Sequence, residues 1–158
     1  MLNIVLTRID DRLIHGQVIT AWSKITDANR IIIVDDEVAE EAFLVKVLKT
    51  AAPSNIKVDV FGINEASDVL KGESEGEKLI ILVKTPKVVL SLIEAGVDIK
   101  ALNVGGMGAG VGRKKFYKNI SVSQEEKEEF EELIKLSVNV SIQIVPDAKQ
   151  IDVKKLLK

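Results

Sequence analysis

Short aliphatic runs alternate with helix-periodic stretches along almost the whole chain, and this rhythm constrains the fold more than any other feature. Two of the runs, residues 30–34 (RIIIV) and 78–83 (KLIILV), carry no polar residue after their first position. A strand with one wet face alternates apolar and polar residues, whereas a continuously apolar strand is buried on both faces. Such strands pair in parallel, and parallel neighbours need a crossover, usually a helix. A chain of 158 residues fits one domain around one sheet.

The segments follow in order. Residues 3–9 form the first strand. Residues 16–28 change to helical period, with Val18, Trp22 and Ile25 on one face. After the strand at 30–34, residues 38–51 are expected to form one helix, its stripe made of Phe43, Leu44, Val47, Leu48 and Ala51 and its end set by Pro53. A strand at 57–61 precedes a short helix at 64–70 capped by Asn64. After the strand at 78–83, Thr85 caps a helix with Pro86 at its first position. That helix turns Val89, Leu92 and Ile93 inward and stops at Gly96. Then come a strand at 101–104, a glycine-rich stretch at 105–112 and a short strand at 119–122. Ser123 and Glu126 make a capping box for a helix with Phe130, Leu133 and Ile134 inward. A strand at 139–145 and a helix at 152–157 complete the chain, the helix burying Val153, Leu156 and Leu157. The expected fold is therefore a single α/β domain over 1–158, with a mainly parallel sheet of about seven strands and helices on both faces.

Composition removes whole classes of function. With no Cys and one His, the chain has no disulfide, thiolate zinc site, Fe–S cluster or cysteine nucleophile, and no centre with two or three histidines. No metal or cofactor is expected, and the missing Cys fits a reducing compartment. The net charge of −2 and 4% aromatic content leave neither a basic footprint nor stacking platforms for nucleic acid. No apolar run approaches the roughly 20 residues of a membrane span. The start, MLNIVLTRIDD, lacks a basic n-region and a small-residue cleavage site and reads as mature protein.

Ligands of open parallel sheets bind beyond the C-terminal strand ends, which singles out residues 8–17, 35–37, 62–64, 84–86 and 105–115. The first of these is the richest. His15 stands at a helix start, three residues after Arg12, with Arg8 and Asp10 upstream and Gly16 and Gln17 downstream. Free N–H groups and the positive end of the helix dipole join the arginines in an anion site holding a nucleophilic nitrogen. Asp10 orients the imidazole or holds Arg12. Such a set suits a histidine that accepts a phosphoryl group, because this transfer needs mainly positioning and charge stabilisation. Arg8, Asp10, Gly16 and Gln17 complete the set around His15 and Arg12, expected to bind the phosphate or to orient the groups that do. Asp35, Lys84, Thr85, Gly106 and Gly108 are its expected walls.

Competing readings are weaker. The stretch 105–112 is neither GxGxxG nor GxxxxGK[ST]. Arg113, Lys114 and Lys115 beyond it are basics for an acidic partner or the phosphoryl group, on a loop expected near the site, or simply solvated charges. A phosphoacceptor-aspartate domain needs a carboxylate at the end of the third strand, where this chain has Val60-Phe61-Gly62. A histidine phosphatase needs adjacent Arg and His and a second histidine. The acidic run 124–132 is a solvated helix face, and Trp22 is a core or half-buried residue. A non-enzymatic module that binds phosphorylated ligands at the same loop remains the alternative; only a carrier becomes covalently phosphorylated, in an acid-labile, base-stable adduct.

The first loop, Arg8-x-Asp10-x-Arg12-Leu13-Ile14-His15-Gly16-Gln17-Val18, resembles the active-site loop of the IIB component of the mannose/fructose/sorbose branch of the bacterial phosphoenolpyruvate-dependent sugar phosphotransferase system. Further matches are Val34-Asp35-Asp36, Val83-Lys84-Thr85-Pro86, Asn103-Val104-Gly105-Gly106-Met107 and Ser121-Val122-Ser123, so the resemblance spans the chain. The run Gly108-Ala-Gly110-Val-Gly112 is barer than in many relatives. The resemblance implies a protein-Nπ-phosphohistidine–sugar phosphotransferase of the EC 2.7.1 type. His15 would take a phosphoryl group from a phosphorylated IIA protein or domain and pass it to a hexose-type sugar entering through the membrane components IIC and IID. Arg12 would contact that group. The implied location is the cytoplasm, at the inner face of the plasma membrane beside the permease partners.

Overall fold

The computed structural model describes residues 1–157. The chain runs β1 (Ile4–Asp10), α1 (Gly16–Thr26), β2 (Arg30–Val34), α2 (Asp36–Ala39), α3 (Ala42–Ala51), β3 (Lys57–Phe61), α4 (Ile63–Leu70), β4 (Leu79–Val83) and α5 (Pro86–Glu94). It continues through β5 (Ala101–Gly106), β6 (Lys114–Tyr117), β7 (Ile120–Val122), α6 (Gln124–Lys135), β8 (Asn139–Ile142), β9 (Ile151–Asp152) and α7 (Val153–Leu156). Seven strands form one sheet in the order β3-β2-β4-β1-β5-β8-β9, parallel except for the antiparallel edge strand β9.

The continuous apolar strands bury both faces, as their composition requires. Ile31, Ile33, Ile80 and Leu82 join one core with Ile19 of α1, Val38 of α2 and Leu48 of α3. Ile32, Val34, Leu79, Ile81 and Val83 point the other way, into a second core with α4, α5, α6 and α7. Each residue of 31–34 and 79–83 thus faces helices, alternating between the two layers. No helix among the described residues is long and apolar enough to cross a membrane.

Several local expectations are corrected. On α1 the buried residues are Ile19, Trp22 and Ser23, and Ile25 is 69% exposed. Trp22 anchors the helix, but Ile19, one turn before it, faces the sheet in place of Val18 and Ile25. The expected helix over 38–51 is two helices broken at Glu40 and Glu41, and Phe43 is 81% exposed. Only Leu48 of the expected stripe is fully buried. Gly62, not Asn64, occupies the N-cap of α4, where Asp36 Oδ1 accepts the Ile63 N–H at 2.8 Å. The short strand before α6 lies outside the main sheet and pairs with the unforeseen β6 as a separate hairpin. Its place in the count of seven is taken by β9. The capping box of Ser123 and Glu126 is present with both reciprocal hydrogen bonds.

Candidate functional site

β1 lies between β4 and β5, so its C-terminal loop emerges at the centre of the sheet edge. Asp10 is the last residue of β1, opposite Gly106 of β5. The chain then turns sharply. Asp11 N–H donates to Gly106 O at 3.0 Å and Leu13 N–H to Asp10 O at 2.8 Å. Leu13 has a φ of 58°, a left-handed conformation that costs an L-residue about 1–2 kcal/mol. Burial of its side chain in the α1-side core offsets that cost. Strained backbone of this kind concentrates at functional loops.

The turn delivers His15 to the N-cap of α1 with extended backbone. Its carbonyl accepts the Ile19 N–H at 2.9 Å, which starts the helix. Its side chain is exposed and makes no capping bond. The first-turn N–H groups of Gly16, Gln17 and Val18 have no intrahelical acceptor and point in the same direction. A Cβ built on Gly16 would meet nothing within 4 Å, so open space adjoins the imidazole.

Arg12 is the best-held of the expected phosphate ligands. Its Nε donates to Asp10 Oδ1 at 3.0 Å and its Nη2 to Asp10 Oδ2 at 3.1 Å, a two-pronged pairing. Asp10 Oδ1 also accepts the Arg12 backbone N–H at 3.0 Å. The Arg12 side chain is 47% exposed and Asp10 only 1%. The carboxylate is therefore a buried foot and the half-exposed guanidinium stands on it through Nε and Nη2. Hydrogen bonding to Asp10 raises the guanidinium pKa further above its ordinary value.

Arg8 is buried. It is 1% exposed and lies on the strand, not in the loop, so of its two expected roles its placement fits orienting and does not fit direct phosphate binding. It donates to Asn103 Oδ1, to Gln143 O at 3.0 Å and to Ile144 O at 2.9 Å, and it lies 3.6 Å from Asp10. Burial pushes its pKa down to about 10, which leaves it charged near neutral pH. Of the two arginines of this segment, Arg12 alone is accessible.

The expected walls divide by strand. Lys84 and Thr85 follow β4 and Gly106 and Gly108 end or follow β5, the two neighbours of β1. Lys84 is half-buried, and Thr85 occupies the N-cap of α5 without a side-chain capping bond. Gly108 N–H donates to Asp11 Oδ2 at 2.8 Å, tying the glycine-rich loop to the first loop. Asp35 is two strands away and works as the α2 cap, accepting the Val38 N–H at 2.9 Å.

Three residues take roles that the sequence alone does not assign. Asp11 binds the glycine-rich loop. Arg113 is not a free basic residue: it grips Glu126 at 2.9 and 2.8 Å, donates to Gly108 O at 3.0 Å and lies 3.6 Å from Asp11. Glu126 in turn belongs to the α6 capping box, so the loop is strapped to a helix start. Burial alone would raise the Glu126 carboxyl pKa, but Arg113 and the Ser123 N–H outweigh it and hold the pKa below the usual range. Asn103 anchors Arg8 from β5. The one available signal was the Asp10-Asp11 doublet beside arginines.

Residues 4–158 match the family model described as "PTS system sorbose subfamily IIB component". The chain is 36% identical over 159 residues to the "PTS system fructose-specific EIIB component" of Bacillus subtilis (strain 168), covering 100% of this chain and 98% of that protein. It is 36% identical over 151 residues to the "PTS system mannose-specific EIIAB component" of Escherichia coli (strain K12), covering 93% of this chain and 47% of that one. The crystal structure of the IIBSor domain of the sorbose permease from Klebsiella pneumoniae superimposes with a TM-score of 0.93 at 36% identity, covering 99% of this chain and 96% of that one.

Proposed function

From the membership of this chain in the sorbose subfamily of phosphotransferase-system IIB components, we propose that it is a phosphohistidine carrier with His15 as the acceptor. The observation that carries the reading is the exposed, unbonded His15 at the start of α1, three residues from an arginine fixed on a buried carboxylate. A neutral imidazole nitrogen attacks the phosphorus of a phosphohistidine on a IIA protein or domain. The new N–P bond forms as the donor's N–P bond breaks, and the donor imidazole leaves. Arg12 and the α1 N–H groups neutralise charge on the three equatorial oxygens. In the second step a sugar hydroxyl oxygen attacks the phosphorus, the bond to His15 breaks, and the hydroxyl proton ends on the freed imidazole.

The IIA donor and the membrane components IIC and IID are the partners of this cycle, and a hexose-type sugar is the final acceptor. The mannose relative, whose name joins IIA and IIB in one protein, supports the pairing with a IIA unit. The cycle runs in the cytoplasm at the inner face of the plasma membrane, beside the permease.

The test is phosphorylation of the full chain from labelled phosphoenolpyruvate through the general phosphotransferase proteins and a IIA donor. Label should appear on His15, be lost in acid and survive in base. His15→Ala should fold normally and take up none. Label that persists in His15→Ala, or reversible binding of phosphate with no covalent adduct, would overturn the assignment.

A further inference from the structure

Arg8 carries a charge in the sheet interior, where an apolar residue of similar volume is often neutral or more favourable for stability. Everything around it is shaped to keep it there. Its guanidinium lies 5.4 Å from the Trp22 ring centroid, and Trp22 Nε1 donates to Ile144 O at 3.1 Å, the same carbonyl that Arg8 Nη2 contacts. Asn103, which accepts from Arg8, donates its own Nδ2 to Gln143 O at 3.0 Å. A Cβ on Gly105 would overlap the Arg8 guanidinium, and one on Gly106 would sit 2.6 Å from Asp10 Oδ1. The adjacent glycines therefore form a socket for two charged side chains on the neighbouring strand.

We infer that Arg8 is a positioning residue for phosphoryl transfer, which fixes the buried Asp10 and through it the exposed Arg12, and that Gly105 and Gly106 are the socket this chain of charges needs. The inference rests on the phosphocarrier reading above. Arg8 lies 3.6 Å from the same Asp10 oxygen, Oδ2, that accepts Arg12 Nη2. Oδ2 thus lies between the two guanidinium groups, while Oδ1 carries Arg12 Nε and the Arg12 backbone N–H. Remove the cation beneath, and Asp10 has only a half-exposed partner; its rotamer and the Arg12 fork loosen together. A misplaced phosphate ligand slows transfer without weakening donor docking.

The test compares Arg8→Met and Arg8→Lys with wild type in rapid-quench transfer from a phosphorylated IIA donor, each also in an Arg12→Ala background. A second readout is the NMR signal of the Arg12 Nε–H, which its bond to Asp10 protects from exchange. Arg8→Met should lower the transfer rate constant about 10- to 100-fold with an unchanged donor KM, and should abolish the protection. Arg8→Lys, which keeps the charge and the fold, should recover part of both. In the Arg12→Ala background either change should slow transfer less than about threefold, because the effect passes through Arg12. Equal slowing in both backgrounds, or full Arg12 protection in both variants, would overturn the inference. A wild-type chain that no donor phosphorylates would sink the carrier reading instead, and the Arg12 signal would still decide whether Arg8 positions it.

Discussion

Replacing Asp10 by Asn keeps the shape of the buried foot and removes its charge. The retained oxygen still accepts the Arg12 backbone N–H and Nε, both at 3.0 Å. The new NH₂ group replaces Oδ2 and faces two donors, Arg12 Nη2 at 3.1 Å and Arg8 Nη2 at 3.6 Å. One charge-assisted hydrogen bond, worth about 1.5–3 kcal/mol, is lost. Breaking a buried pair commonly costs about 3–5 kcal/mol. Two features reduce that figure here. Arg8 keeps three acceptors, Asn103 Oδ1, Gln143 O and Ile144 O, and Arg12 is exposed enough for water to replace its partner. The expected loss is about 3 kcal/mol. For a chain of this size that lowers Tm by roughly 6–12 °C. Transfer to His15 should slow by roughly tenfold, less than for removal of Arg12, because one prong of the fork survives. Thermal unfolding followed by circular dichroism and rapid-quench phosphorylation read the two effects separately. Asp11→Asn is the control: its pairing with Arg113 is partly exposed, and the change should cost less than about 1 kcal/mol. A Tm within about 2 °C of wild type together with an unchanged transfer rate in Asp10→Asn would refute the buried-foot account.

Arg12→Ala should raise the transfer barrier by about 2–4 kcal/mol, read as the single-turnover rate; an unchanged rate removes Arg12 from the mechanism. Arg113→Ala should destabilise by about 2 kcal/mol, because Glu126 is left without its main partner, and amides of residues 107–113 should exchange faster; exchange identical to wild type would disprove the strap. Glu77 titrates far below its ordinary value, at about 2, because it accepts the Asn3 backbone N–H, the Ser74 hydroxyl and the Glu75 backbone N–H. A folded pKa below the unfolded one stabilises the protein above the unfolded value and loses that contribution as pH falls toward 2. Glu77→Gln should therefore be less stable than wild type at neutral pH, and the gap should close on acidification through pH 4 to 2. A gap independent of pH would show that charge is not its origin.

The sheet was legible because its strands are continuously apolar, and RIIIV and LIILV tolerate no wet face. The helices were less so. Trp22 fits two faces of α1 equally well in sequence, and only the docking angle on the sheet selects Ile19 over Val18. The break between α2 and α3 falls at two glutamates, without the glycine or proline that usually punctuates a chain. β9 has two residues, too few to show a period. At the site, His15 and Arg12 stood out because an unpaired nucleophile beside a basic residue at a helix start has a local chemical meaning. The burial of Arg8 was invisible. An arginine at a strand end beside an aspartate reads as a surface pair until a glycine 97 residues later opens a hole beside it.

That distance has a consequence for how the protein becomes active. Arg8 bonds Asn103 across a sequence separation of 95 residues, and Arg12 stands on a carboxylate that needs Gly106 opposite it. β5 must be paired to β1 before either contact exists. Long-range parallel pairing of this kind forms slowly, because chain entropy is spent before contacts return it. A nascent or partly unfolded chain therefore displays the imidazole without its clamp. On the proposed reading, fast transfer waits for completion of the sheet, and a transfer rate reports that step where binding alone would not.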